Sequence, residues 1–184
     1  MTVKDVIKVV ATLIGREDVV KHLNKEEEST DTATLNTIDL MTRCVNLTVS
    51  ELSATYIPMT KSIKLSGNEI VFRDIPDRML EIVSVCDKDG NPVEYKQSPE
   101  MIIAKKSGIT LTYNYLAPNY DLEGEIGYTD NKVPLRIIAY ASLAEYSLTQ
   151  RAFDESVMWR NRFVSELSSL LTPKNSKIKQ RRWC

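Results

Sequence analysis

One histidine, three cysteines and six glycines among 184 residues leave little raw material for most kinds of chemistry. Zinc centres need Cys and His at short, regular spacings, whereas Cys44, Cys86 and Cys184 are far apart and include no CxxC pair. They read as free thiols of a reducing compartment rather than as a disulfide framework. His22, the single histidine, lies between Lys21 and Leu23 with no second His or Cys nearby. It reads as a surface residue, and any histidine-based nucleophilic mechanism would have to use it. No GxSxG elbow surrounds a serine, and neither GxxxxGK[ST] nor GxGxxG occurs, so nothing points to an acyl-transfer nucleophile or a phosphate-cradling glycine loop. The expectation is a chain with no catalytic residues, no metal and no cofactor, and hence not an enzyme.

Long apolar runs are missing too. No stretch has the length needed to cross a bilayer, and Met1-Thr-Val-Lys-Asp-Val6 lacks the basic-then-apolar pattern of a secretory leader, so a soluble, unsecreted protein with no membrane contact is expected. Glycine and the seven prolines are sparse, while 42% hydrophobic and 27% charged residues suit one globular domain, or a helical body with an inserted subdomain. The run Glu26-Glu-Glu28 and the turn carrying Asp87 and Asp89 before Gly90 read as solvent-facing charge, since the latter lacks the downstream glutamate of an EF-hand loop. Asn46-Leu-Thr48 matches a glycosylation sequon, but within a helical pattern it is uninformative.

What the chain does have is segregated charge. The formal net charge is −1, yet residues 173–184 carry +5 with no acid, leaving about −6 on residues 1–172. An acidic body with a basic arm suits docking on the acidic surface of a neighbour, a second copy included, better than wrapping a duplex. Within the arm, Lys174, Lys177, Lys179, Arg181, Arg182 and Trp183 are the candidate partner-binding residues, because Arg and Trp dominate binding hot spots. The same cations would also meet phosphates electrostatically.

The hydrophobic period divides the chain. Thr2 caps a first helix whose Val3, Val6, Ile7, Val10 and Ile14 share a face until Gly15, and a short helical turn follows at Glu17 to Leu23. A second long helix runs from about Ser29–Thr32 to Tyr56 on Leu35, Ile38, Met41, Val45, Val49 and Leu52, ended by Pro58. Leu40, Cys44 and Leu47 widen its stripe. It therefore contacts either two surfaces, the core plus the sheet or the core plus a neighbouring subunit, or is simply buried within one chain.

From Met59 to Tyr115 the period changes to two, giving about six short strands in a small antiparallel sheet or partly closed barrel. Three hairpins are expected: Ile63–Leu65 with Ile70–Phe72 across Ser66-Gly-Asn68, Leu80–Cys86 with Val93–Tyr95, and Met101–Ala104 with Ile109–Tyr115 across Lys105–Gly108. Tyr113, Tyr115, Tyr120 and Tyr128 lie at the exit of this region, either as an interface cluster or as sheet packing with exposed hydroxyls. Pro134 opens a further helix on Ile137, Ala141, Ala144 and Leu148. It forms an antiparallel hairpin with a last helix whose expected stripe is Phe153, Val157, Val164, Leu167 and Leu171, with Trp159 and Phe163 beside it.

The predicted fold class is thus α+β: a helical body with an inserted small antiparallel β subdomain and an extended C-terminal arm. The expected divisions are 1–58 for the N-terminal helices of the body, 59–119 for the β subdomain, 120–172 for the C-terminal helical hairpin and 173–184 for the basic docking arm.

That order of elements carries a resemblance. A short helix, a long helix, a β-rich insertion containing Ile75-Pro-Asp-Arg-Met-Leu-Glu-Ile82, then Val133-Pro-Leu-Arg-Ile-Ile-Ala-Tyr140 and a helical hairpin with Glu145-Tyr146 resemble the head-to-tail adaptor (connector) proteins of tailed bacteriophages. The likeness spans nearly the whole chain and rests on architecture rather than on an invariant motif. Short-tailed members often place tryptophans where this chain has Ser53-Ala-Thr-Tyr56.

The resemblance implies a homo-oligomeric ring, usually dodecameric, that docks beneath the portal protein through the C-terminal arm and offers its other face to a tail protein. Its lumen would pass DNA non-specifically during ejection. The implied location is the virion neck between capsid portal and tail, with assembly in the host bacterial cytoplasm. The alternatives are another tail-ring or tail-completion protein, or a small nucleic-acid-binding module using the basic arm.

Overall fold

The computed structural model describes residues 1–25 and 31–172. The first helix, α1 (Val3–Leu13), starts at a reciprocal capping box. The Thr2 backbone N–H donates to Asp5 Oδ2 at 2.8 Å, and the Asp5 N–H donates to Thr2 Oγ1 at 3.2 Å. Gly15 takes a φ of +70°, open to glycine, and turns the chain into α2 (Glu17–Asn24). Asp31 caps α3 (Thr32–Glu51) through the Ala33 N–H, and the helix runs on through a π turn at Leu52–Tyr56. Ser53, fully buried in that turn, donates to the Ser50 carbonyl and accepts from the Ala117 N–H. The π turn is thereby bolted to the chain leaving the sheets.

The β region comprises β1 (Met59–Leu65), β2 (Glu69–Val71), β3 (Met79–Cys86), β4 (Tyr95–Gln97), β5 (Met101–Ala104) and β6 (Ile109–Tyr115), with a 3₁₀ turn at Phe72–Asp74. They make two antiparallel three-stranded sheets, ordered β1-β6-β3 and β2-β5-β4. Two expected hairpins are therefore corrected. β1 pairs with β6, not β2, and β5 pairs with β2 and β4, not β6.

Ser66–Asn68 and Lys105–Gly108 are not turns but facing corners where two neighbouring strands pass together from one sheet to the other. The corners are held by Gly108 N–H to the Ser66 carbonyl and Ala104 N–H to the Asn68 carbonyl. Gly-rich chemistry serves a bend as well as a reversal, so local sequence does not distinguish them. The third pairing forms in part. Val93 N–H donates to the Val85 carbonyl and Cys86 bridges Pro92, but Tyr95 belongs to β4 and pairs with Ala104.

The two sheets share one core of Ile70, Ile75, Val85, Val93, Ile102, Ala104, Ile109, Leu111 and Tyr113. A second, larger core lies among the helices and is joined by Ala117, Ile126 and Tyr128 of the segment after β6. The fold is α+β.

At the centre of the helical part is α4 (Leu135–Thr149), packed against α1, α3 and α5 (Phe153–Leu171). The narrow stripe expected for α4 proves too narrow, because Ile138, Ala139, Ser142, Leu143, Tyr146 and Ser147 are buried as well. Alanines and serines let neighbours approach closely, and Ser142 Oγ meets Thr48 Oγ1 of α3 at 3.3 Å. Arg151, at φ 61°, reverses the chain into α5, and the pair is antiparallel. Ser156 Oγ donates to the Ala144 carbonyl at 2.9 Å, while Arg136 pairs with Glu166 at 2.7 Å.

The stripe expected for α5 is also corrected. The buried residues are Ser156, Trp159, Phe163 and Leu167, whereas Phe153, Val157, Val164 and Leu171 face solvent. Aromatic stacking selects the buried face. Trp159 stacks on Tyr140 at 5.7 Å, and Phe163 meets Tyr56 edge-on at 6.0 Å.

Candidate functional site

Among the described residues, the most prominent surface feature is exposed apolar area on α5 and the end of α4. On α5, Phe153 is 64% exposed, Val157 61%, Val164 47% and Leu171 50%. Together with Asn161 and Ser168 they fall within about 80° of helix circumference, since each residue advances about 100°. That arc adjoins the buried face and carries no charge. Leu148, at the end of α4 and 45% exposed, extends it across the helical hairpin. Beside it, a groove of about 520 Å³ is lined by Glu51, Leu148, Val157, Arg160 and Asn161 among others. Arg160 forks onto both carboxylate oxygens of Glu51, at 2.6 and 3.0 Å, and lies over the Phe163 ring at 5.2 Å. Two of the three charged residues lining the groove, Glu51 and Arg160, are thus engaged with each other, and Glu145 is the third.

No family model matches the sequence, and no curated protein matches it.

The shifted carboxylates of Asp18, Asp77 and Asp87 sit in ion pairs. The Arg16 guanidinium bonded to Asp18 holds that carboxyl far below the usual range, and Thr34 adds a hydrogen bond. The Lys106 ammonium draws Asp87 down to about 2, helped by the Asn91 and Asp89 backbone N–H groups. Burial pushes the Cys44 thiol up to about 11, with Glu145 adding to the effect, so it stays protonated and unreactive. Among the described residues no group of three His, Cys, Asp or Glu is placed to hold a metal ion, and no helix is long and apolar enough to cross a membrane. His22, read from sequence as a surface residue, is half-buried, and its Nδ1 has no hydrogen-bond partner.

The tyrosines resolve toward packing. Tyr113 is fully buried and donates to Asp77 at 2.7 Å; Tyr128 is buried and donates to the Ile57 carbonyl at 2.7 Å; the Tyr120 hydroxyl accepts from the Gly127 N–H at 3.3 Å. Burial raises the Tyr113 and Tyr128 hydroxyls well above their ordinary values, and Asp77 adds to the shift at Tyr113. These side chains tie sheet, connecting segment and helices together rather than forming an exposed cluster.

The candidate arm residues Lys174, Lys177, Lys179, Arg181, Arg182 and Trp183 lie outside the described residues, as do Glu26, Glu27, Glu28 and Cys184. Leu47, one of the residues that widened the long helix's stripe, is 60% exposed, whereas Cys44 beside it is buried.

Asn46, which in sequence is only the head of an uninformative sequon, has a structural role that no local pattern marks. Its Nδ2 donates to the Tyr120 carbonyl at 2.9 Å and its Oδ1 accepts from the Tyr120 N–H at 2.8 Å, clamping the segment between β6 and α4 to α3. The sequon is therefore a coincidence of spelling over a structural amide. Asn46→Ala is expected to lower stability by about 1–3 kcal/mol, since two backbone groups lose their partner. Chemical denaturation checks it, and a loss no larger than that of an exposed α3 substitution would remove the clamp's importance.

Proposed function

We propose that this chain is a structural virion subunit that forms a ring joining the capsid portal to the tail and lining the DNA exit channel, with no enzymatic activity of its own. The observation that carries the assembly role is the uncharged, half-exposed apolar arc along α5 and the end of α4. Solvent-facing Phe, Val and Leu in a contiguous stripe mark surfaces that a partner covers. The more specific placement, at the virion neck with a portal protein on one side and a tail protein on the other, rests on the resemblance in element order.

In this reading residues 173–184 dock on the portal. Five cations supply electrostatic steering, and Trp183 with Arg182 supplies the anchor. DNA passes the lumen without sequence-specific contact.

Deleting residues 173–184 is expected to leave the thermal transition within a few degrees of the full chain while abolishing co-purification with the portal protein. Retained binding would reject the docking role. Salt separates the main rival. A nucleic-acid module would lose affinity for DNA steeply between low and physiological salt, whereas the portal complex should persist and keep a fixed stoichiometry.

A further inference from the structure

We propose that a groove at the bend between the two sheets binds phosphate groups, held by Lys64 and Lys88. This site is independent of the ring reading. The groove, of about 570 Å³, is lined by Lys64, Ser66, Lys88, Ser107, Gly108 and Thr110, and its remaining members, both apolar, pack in the sheet core. No carboxylate lines it.

Strand register builds the polar face. Lys64 of β1 stands opposite Thr110 of β6, so the two side chains project from the same side of the sheet, while the alternation of period two sends Leu65 and Ile109 to the core side. Ser66 and Ser107 follow at the facing corners, where the Gly108 N–H donates to the Ser66 carbonyl at 3.1 Å. Lys88 arrives from the loop after β3. Gly108 has a φ of +68°, and a Cβ built on it would stand 2.8 Å from Lys88 Cε and 3.5 Å from its Nζ. The missing side chain is what lets the lysine stem lie across the corner.

Charge pairing singles out these two lysines. Lys105 and Lys106, in the same corner, are neutralised by Glu94 and Asp87. Lys64 and Lys88 are exposed and have neither an ion pair nor a hydrogen bond among the described residues. The Asp87 carboxylate, next to Lys88 in sequence, is already taken by Lys106 and by the Asp89 and Asn91 N–H groups, and Asp89 does not line the groove.

The groove therefore offers donors without a competing anion. Each ammonium has three donors and no acceptor, and the Ser66, Ser107 and Thr110 hydroxyls, also without partners among the described residues, add one donor each. A carboxylate brings one charge and two oxygens. A phosphate brings up to two charges and three strong acceptor oxygens, which two ammoniums and flanking hydroxyls match. Two sources share that chemistry: a free phosphate, and the backbone of a polynucleotide, which Lys, Ser and Thr contact without reading sequence.

Amide NMR of the full-length chain tests the groove site by site. At constant ionic strength, inorganic phosphate should move the amides of Lys64, Ser66, Lys88 and Ser107 to Thr110 saturably. K64Q/K88Q, altered only at exposed positions, should keep the rest of its spectrum and bind about tenfold or more weakly, whereas K96Q, at an exposed lysine of β4 outside the groove, should bind as the parent does. A short DNA duplex then separates the sources. Corner amides that move at lower phosphate-group concentration than with inorganic phosphate assign the polynucleotide backbone, and the slope of log affinity against log salt should then fall by about two in K64Q/K88Q. Movement with inorganic phosphate alone assigns a free phosphate. No saturable shift with phosphate or duplex, shifts confined to residues 173–184, or a response unchanged in K64Q/K88Q would overturn the site and leave the ring reading standing.

Discussion

Phe163→Ala is expected to cost about 3–5 kcal/mol of folding stability, while Phe153→Ala on the same helix is expected to cost under about 0.5 kcal/mol. Phe163 is fully buried, meets the Tyr56 ring edge-on at 6.0 Å, and has the Arg160 guanidinium above it at 5.2 Å. Truncating it removes the transfer free energy of the ring and leaves a cavity beside a helix, α4, that is packed on nearly every side and has little freedom to collapse. The loss also uncovers part of the Glu51–Arg160 fork, whose guanidinium rests on that ring. Phe153, by contrast, already stands 64% in water, so its removal takes little area out of the interior.

Urea denaturation of both variants at neutral pH measures the difference. Losses of similar size would mean that the stripe written along Phe153, Val157, Val164 and Leu171 packs against the body after all. The α5 arc would then no longer be free for a partner.

The second large effect is expected at Asp77, in the Pro-Asp corner ahead of β3. Its carboxylate accepts from the buried Tyr113 hydroxyl at 2.7 Å and from the Lys61 ammonium at 2.8 Å, joining the corner to β6 and β1. Asp77→Ala leaves a hydroxyl in the sheet core without an acceptor, at a cost of about 1–3 kcal/mol. Removing both partners is milder. Tyr113→Phe in the Asp77→Ala background should recover much of the loss, because the orphaned donor is gone. If the double variant is no more stable than Asp77→Ala alone, the corner is held by something other than this bond.

The same carboxylate sets a pH dependence. The Lys61 hydrogen bond, aided by Tyr113, holds Asp77 below its ordinary value; Arg16 does so more strongly for Asp18, and Lys106 takes Asp87 to about 2. Each group binds its proton less readily folded than unfolded. Their stabilisation is therefore complete above the unfolded carboxylate pKa near 4 and is lost as pH falls through the folded values toward about 2. Melting followed from pH 5 down to pH 2 should show this decline, and Asp77→Ala should flatten part of it. An identical slope in the variant would remove Asp77 from the acid response.

Much of the helical architecture was legible because helices are local. Thr2 and Asp5, Gly15, Pro58 and Pro134 mark ends through backbone chemistry that acts within one or two turns. The strand segments were legible for the same reason, as alternation of period two. Their partners were not. Whether Ser66–Asn68 reverses the chain or bends it depends on which strand lies alongside, and that is decided by residues some forty positions away in β6.

The face of α5 shows the same limit in another form. Two apolar arcs lie side by side on one helix, and periodicity marks both equally well. Only Tyr140, Tyr56 and the close-packed α4 select the arc with Trp159 and Phe163 for the interior.

By itself, then, the amino-acid order determined the α+β class, the element types and most of their ends, and the separation of a basic segment at residues 173–184 from an acidic remainder. These depend on backbone preferences, local periodicity and charge counting. Strand partnership, the clamp of Asn46 on Tyr120, the inward turn of the tyrosines and the outward turn of Phe153 and Val157 were decided only in three dimensions. Each depends on which distant surface arrives to bury a side chain or complete a hydrogen bond, and that competition has no signature within a single stretch of chain.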